Sequence, residues 1–124
     1  MRIIIAGSRT IDQVGFDQVI SQCTWATEAE SIVSGGALGV DQLAEAWAIA
    51  IGIPVIRYNP DWKRFGRGAG IIRNRTMVEN ADALLAIWDG QSRGTKQIIP
   101  YAQAQGLRVE VFSPKLGKSG PIQI

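Results

Sequence analysis

Ser34-Gly35-Gly36-Ala37-Leu38-Gly39-Val40-Asp41 is the stretch on which the reading of this chain turns. A short apolar run, Ile32-Val33, leads into it. After it, Val40, Leu43, Ala44, Trp47, Ala48 and Ile51 recur at i, i+3, i+4, i+7 spacing, which predicts a helix from Val40 to about Ile51 with one buried stripe. A strand, a glycine turn and a helix start let the main chain approach an anion closely and offer it unpaired N–H groups. The expectation is therefore a phosphate-holding turn, although a tight connection without a ligand would have the same sequence. The turn is neither a Walker sequence nor a dinucleotide fingerprint, because no Gly-Lys-Ser/Thr follows and the glycine spacing differs. Asp41 stands either to bind a ribose hydroxyl or to cap its helix.

Outward from this turn, strands and helices alternate. Strands are predicted at Arg2–Ala6, Ser31–Ser34, Pro54–Arg57, Ala83–Trp88 and Arg108–Phe112. Helices are predicted over about 13–24, capped by Asp12, and over 40–51, 69–80 and 94–105. The alternation implies an α/β protein: a Rossmann-like, doubly wound parallel sheet of about five strands with helices on both faces. Residues 1–112 form the domain, residues 113–124 a polar tail that is loose or packed on a partner, and residues 58–70 a long loop. In such sheets ligands bind beyond the carboxyl ends of the strands. Every unusual segment falls there: Gly7-Ser8-Arg9, Ser34 to Asp41, Tyr58 to Gly70, and Asp89 to Thr95.

Composition narrows the chemistry. At 124 residues the chain is long enough for one domain with a true core. It has no histidine, which removes the usual general base and most zinc sites, so no metal and no cofactor are expected. The one cysteine, Cys23, reads as core. No apolar run approaches a membrane span, which sets a cytoplasmic protein without a membrane partner as the expectation. The net charge of +2 argues against a nucleic-acid partner.

Several groups of residues suit anion binding. Six of the 13 basic residues (Arg57, Lys63, Arg64, Arg67, Arg73 and Arg75) crowd residues 57–75, where Asp61 is the only acid. Guanidinium groups match phosphate oxygens in bidentate geometry. Trp62 and Phe65 suit stacking on a base or on the protein itself. Arg73 and Asn74, near a helix start, can point towards the glycine turns. Asp89-Gly90-Gln91-Ser92-Arg93-Gly94-Thr95 is a second candidate anion turn, with Thr95 alternatively a plain helix cap. In Gly7-Ser8-Arg9, Ser8 can donate to phosphate and Arg9 can clamp it. The candidate ligand-binding set is thus Gly7, Ser8, Arg9, Ser34, Gly35, Gly36, Ala37, Asp41, Trp62, Arg67, Arg73, Asn74, Asp89, Gly90, Ser92, Gly94 and Thr95.

Together these residues resemble the SLOG superfamily, the Rossmann-like Smf/DprA–LOG group, and within it the small YspA-like branch. The resemblance is carried by Gly7-Ser8-Arg9, Ser34 to Ala37 with Gly39 and Asp41, Pro60-Asp61-Trp62, Arg73-Asn74-Arg75-Thr76-Met77, and Trp88-Asp89-Gly90 with Ser92, Gly94 and Thr95. It implies a nucleotide or nucleotide-derived ligand across the carboxyl edge, and by analogy a homo-oligomer. In LOG enzymes an arginine and a glutamate support cleavage of an N-glycosidic bond. Arg73 matches the first, but the second position is Gln97, which cannot supply a carboxylate. The expected function is binding of a nucleotide-like small molecule, as sensor or sequestering protein. The first alternative is a phosphoribohydrolase that uses Arg73 with Asp41 or Asp89. The second is single-stranded nucleic-acid binding through the basic loop.

Overall fold

The computed structural model of the protein describes residues 1–114. Five parallel strands form one sheet: β1 (Arg2–Gly7), β2 (Ser31–Ser34), β3 (Val55–Arg57), β4 (Ala83–Ile87) and β5 (Arg108–Phe112). Their order is β3-β2-β1-β4-β5. The chain winds outward from β1 to β3, then crosses back to lay β4 against the other side of β1. The order therefore reverses between β1 and β4, where Gly7 pairs with Ile87. Adjacent connections diverge at that reversal and leave a crevice at the carboxyl edge.

The central strands are apolar on both faces because both are covered. Ile3 and Ile5 of β1 pack with Phe16 and Val19 of α1 (Gln13–Ile20) and with Val40, Ala44 and Ala48 of α2 (Val40–Ala50). Ile4 and Ala6 face the other way, onto Met77 and Val78 of α4 (Ala69–Glu79) and Ile98, Ile99 and Ala102 of α5 (Arg93–Ala104). This alternation is the period of two that a strand imposes, doubled by the second helical layer. Truncating a side chain as enclosed as Phe16 typically costs about 3–5 kcal/mol.

Four local expectations are corrected. The helix after Asp12 ends at Ile20 rather than Thr24; Asp12 accepts from the Gly15 N–H at 3.0 Å, and a separate turn of 3₁₀-helix covers Thr24–Glu28. Cys23 is buried just ahead of that turn. Ile51 does not join the buried stripe and is 48% exposed, because α2 has ended at Ala50. Residues 58–70 are not a structureless loop: a short helix α3 (Trp62–Phe65), capped by Asp61 through the Arg64 N–H, runs through Gly66–Gly68 into α4. Of the polar tail, Ser113 is fully buried and Pro114 packs near Gly15, while residues 115–124 lie outside the described residues. No helix among the described residues is long and apolar enough to cross a membrane.

Candidate functional site

Two adjoining cavities open at the carboxyl edge. The first, of about 420 Å³, lies over the β1–β4 reversal; Gly7, Arg9, Asp41, Arg73, Asp89, Ser92 and Thr95 are among its lining. The second, of about 630 Å³, is bounded by Arg9, Gly35, Trp62, Arg67, Arg73, Arg93, Gly94 and Gln97. Ala37, Asn74 and Gly94 line both, as do Arg9, Arg73 and Arg93. Gly36 lines the second. Gly35, Arg73 and Gly94 thus lie on one side of the molecule, around adjoining cavities.

Two amides of the glycine turn after β2, expected to hold an anion, are engaged within the protein: the Gly36 N–H donates to Ser34 Oγ at 3.1 Å and the Ala37 N–H to Asp41 Oδ2 at 3.2 Å. Asp41 thus accepts from the turn itself and is only 5% exposed. Burial pushes its carboxyl up to about 6, against the N–H of Ala37 and the charge of Arg73. Ser34 is fully buried behind the turn and lines neither cavity. Its hydroxyl donates to Glu45 Oε2 at 2.6 Å, and Arg57 grips both oxygens of Glu45, through Nε at 3.0 Å and through Nη2. Because the carboxylate takes the Ser34 proton, a lone pair is left to accept from Gly36. Burial alone would raise the Glu45 carboxyl, but the bonds from Arg57 and Ser34 outweigh it and hold the group below its ordinary range.

The turn offers Arg73 a carbonyl instead. Arg73 Nη1 donates to Gly35 O at 2.6 Å and Nε to Asn74 Oδ1 at 2.9 Å, and Asn74 Nδ2 donates to Gln97 Oε1 at 2.9 Å. Gly35 is required here by close approach: a Cβ would stand 2.6 Å from Arg73 Nη1 and 3.0 Å from Asp41 Oδ2. Gly39 is required by conformation, with φ at +79°.

The turn before α5 is organised differently. Asp89 Oδ1 accepts from the Gln91 and Ser92 N–H groups, each at 2.8 Å, and Oδ2 accepts from Thr10 Oγ1 at 2.8 Å. Burial works upward on Asp89, but these donors outweigh it and hold the carboxyl at about 2. Ser8 does not face a ligand. It is 1% exposed, bonds Ser92 Oγ at 2.8 Å and accepts from the Asp89 N–H at 2.9 Å, so it ties the β1 turn to the β4 turn. Gly90 shapes the turn with φ at +84° and lines neither cavity. Ser92, not Thr95, is the N-cap, and its side chain makes no capping bond. The first i→i−4 bond of α5 runs from Lys96 N–H to Ser92 O, so the amides of residues 93–95 lie ahead of the helical ladder at its positive end.

Of the residues proposed from sequence, the structure brings Arg9, Arg73, Asn74 and Gly94 together at the shared wall. Sequence reasoning missed Arg93 and Thr10 as lining residues, and it weighed Gln97 only for the charge it lacks. Arg93 and Gln97 stand four residues apart on one helix, a spacing that puts them on one face and was available as a signal.

The fold and the paired cavity define a Rossmann-like α/β protein with a cationic hollow at the topological switch point of its sheet. Comparison with known proteins makes the class specific. The family described as YAcAr: YspA, cpYpsA-related SLOG family matches residues 1–65, and the chain is 32% identical over 122 residues to the gene 61 protein of Mycobacterium phage D29, covering 92% of this chain and 98% of that one. The chain belongs to this SLOG family. Among solved structures it is similar to DNA processing protein A (DprA) from Streptococcus pneumoniae, with TM-score 0.72 and 19% identity over 90% of this chain; it spans about half that protein's length. It is also similar to DprA from Helicobacter pylori, with TM-score 0.70 and 22% identity, covering 97% of this chain and 68% of that one. The H. pylori structure is described as showing a single-stranded DNA binding mode. That finding overturns the expectation that nucleic acid is no partner. A protein of this fold binds single strands, so a net charge of +2 is no ground for excluding them: a local cluster of cations, not the whole-chain balance, faces a ligand.

Proposed function

We propose that the chain binds a phosphate-bearing nucleotide or nucleotide-derived molecule at the carboxyl edge of its sheet and holds it intact, as a sensor or sequestering protein. The observation that carries this reading is the convergence of Arg9, Arg73, Arg93 and the open first turn of α5 on one pair of adjoining cavities. Charge-assisted hydrogen bonds from such groups are the strongest that a protein offers a phosphate. Asp41 and Asp89 in the first cavity supply acceptors suited to sugar hydroxyls. Binding without cleavage is supported by the state of the carboxylates. Donors from Gln91, Ser92 and Thr10 hold Asp89 ionised, which makes it a poor proton carrier near neutral pH, and one oxygen of Asp41 accepts from the Ala37 N–H while both groups keep lone pairs for a ligand. A phosphoribohydrolase would need Asp41 as its acid–base group, with Arg73 orienting the phosphate.

A second reading has its own observation. Trp62 is 59% exposed and Phe65 39% exposed, on the same short helix as Lys63 and Arg64 and close to Arg67. Exposed aromatics among cations form a stacking platform for single-stranded nucleic acid. One titration series separates the readings, using AMP, ADP-ribose, NAD, cyclic AMP and a short oligothymidylate, with products followed by mass spectrometry. Mononucleotides should bind and be recovered whole. Free base released from AMP would establish the hydrolase instead. Oligothymidylate binding that weakens steeply with salt, with no mononucleotide binding, would establish the strand-binding reading.

A further inference from the structure

The two cavities differ in charge. Acidic side chains, Asp41 and Asp89, line the first. Arg9, Arg67, Arg73 and Arg93 line the second, and among the described residues no carboxylate does. One neutral polar side chain in that second wall, Gln97, has its orientation dictated from a distance. Arg73 Nε is a donor only, so the Asn74 atom 2.9 Å from it must be the carbonyl oxygen. The other end of the Asn74 amide is then a donor, and the Gln97 atom 2.9 Å from it must be Oε1. The free end of Gln97 is therefore its NH₂ group. The arginine at the head of the chain cannot accept, so neither amide can be turned the other way.

Gln97 also stands one helical turn after Arg93, and side chains on a helix lean towards its N-terminus. Its donor is thus added to those of Arg93 and of the first turn of α5. The geometry points to Gln97 as a specificity-determining residue: through its NH₂ group it donates to a phosphate oxygen of the ligand in the arginine-lined cavity, and it discriminates against ligands that lack that acceptor. The inference rests on the nucleotide-binding reading above and adds which chamber takes the phosphate. A neutral donor here adds selectivity without a further charge, since a site built to hydrogen-bond a group rejects the analogue that lacks it.

The test compares AMP with adenosine on the wild-type chain and on the Gln97→Glu and Gln97→Met variants. Glutamate can still accept from Asn74, so the internal chain survives while the donor is replaced by a negative charge. Gln97→Glu should weaken AMP at least tenfold and leave adenosine within twofold. Gln97→Met, which loses the donor without gaining charge, should weaken AMP about threefold to tenfold, again sparing adenosine. In the ¹⁵N-labelled chain, the side-chain NH₂ signal that disappears in Gln97→Met should move when AMP is added to the wild type. A merely structural role would weaken both ligands together and leave their ratio unchanged; an unchanged ratio in both variants overturns the assignment. Wild-type protein that binds AMP and adenosine equally removes the phosphate from the proposed function, and the role of Gln97 with it. Strong AMP preference that persists in both variants leaves the function standing and removes only Gln97.

Discussion

Two turns at the carboxyl edge share one sequence signature and behave in opposite ways. The turn after β2 and the turn before α5 each combine glycine with a helix start. In the first, two main-chain donors are closed off: Ser34 takes the Gly36 N–H and Asp41 takes that of Ala37. In the second, the acid stands before the helix rather than inside it. Asp89 closes the Gln91 and Ser92 amides and leaves residues 93–95 open. The position of one carboxylate relative to the helix start therefore decides which main-chain donors a glycine turn engages itself and which it leaves open. The first turn acts through what it presents, the Gly35 carbonyl that fixes Arg73.

The largest test of this contrast is the carboxylate that closes the first turn. The ordinary Asp41 value of 3.8 is raised to about 6 in the folded protein, chiefly by burial. Between those values the native state binds more protons than the unfolded chain, so this group's contribution to stability is full below about pH 4 and is lost as pH rises through 6. Asp41→Asn keeps an acceptor for Ala37 and removes the titration. Relative to wild type, the variant should gain on the order of 3 kcal/mol between pH 4 and pH 8, read as the difference of two urea-melt series. A constant difference across that range would mean that burial does not raise the Asp41 carboxyl.

The next test is the arginine that the closed turn positions. Arg73→Ala removes a guanidinium shared by both cavities. AMP affinity should fall about tenfold to hundredfold, in line with a charge-assisted hydrogen bond of about 1.5–3 kcal/mol. Retained affinity would place the ligand at the α5 turn alone and make the first turn purely structural.

The fold was legible because its signals are local and redundant. The continuous run Ile3-Ile4-Ile5 can only be a strand buried on both faces, and the α2 stripe fixed a helix against it. The convergence of loops at one edge followed from strand–helix alternation. The misreadings at the site share one cause, which is the pairing of polar groups across the fold. Nothing in the order of residues says that the Ser34 hydroxyl donates to Glu45, that Ser8 ties two turns together, or that Asp41 accepts from its own loop. These depend on separations of 11, 84 and 4 residues that only the packed chain brings to hydrogen-bond distance. The short helix α3 was missed because Pro60 before it and the glycines at 66, 68 and 70 after it read as breakers, whereas Asp61 caps it from just outside.

The smallest effect is also the most direct comparison, because it places the same substitution in each turn. Gly35→Ala drives a Cβ against Arg73 Nη1 and Asp41 Oδ2, both held by other bonds and unable to withdraw freely. Overpacking of that kind costs about 1–3 kcal/mol, and AMP affinity should fall with it because Arg73 must move. Gly94→Ala meets no atom within 4 Å and falls inside the first turn of α5, where alanine is the better helix former. It should stabilise the chain by about 0.5–1 kcal/mol. If the N–H of residue 94 rather than its bare Cα receives the ligand, binding is unaffected, since alanine keeps the amide. Loss of AMP binding in Gly94→Ala with a raised melting temperature would show instead that the ligand lies flush against the Cα, and that this turn too works by close approach rather than by open donors.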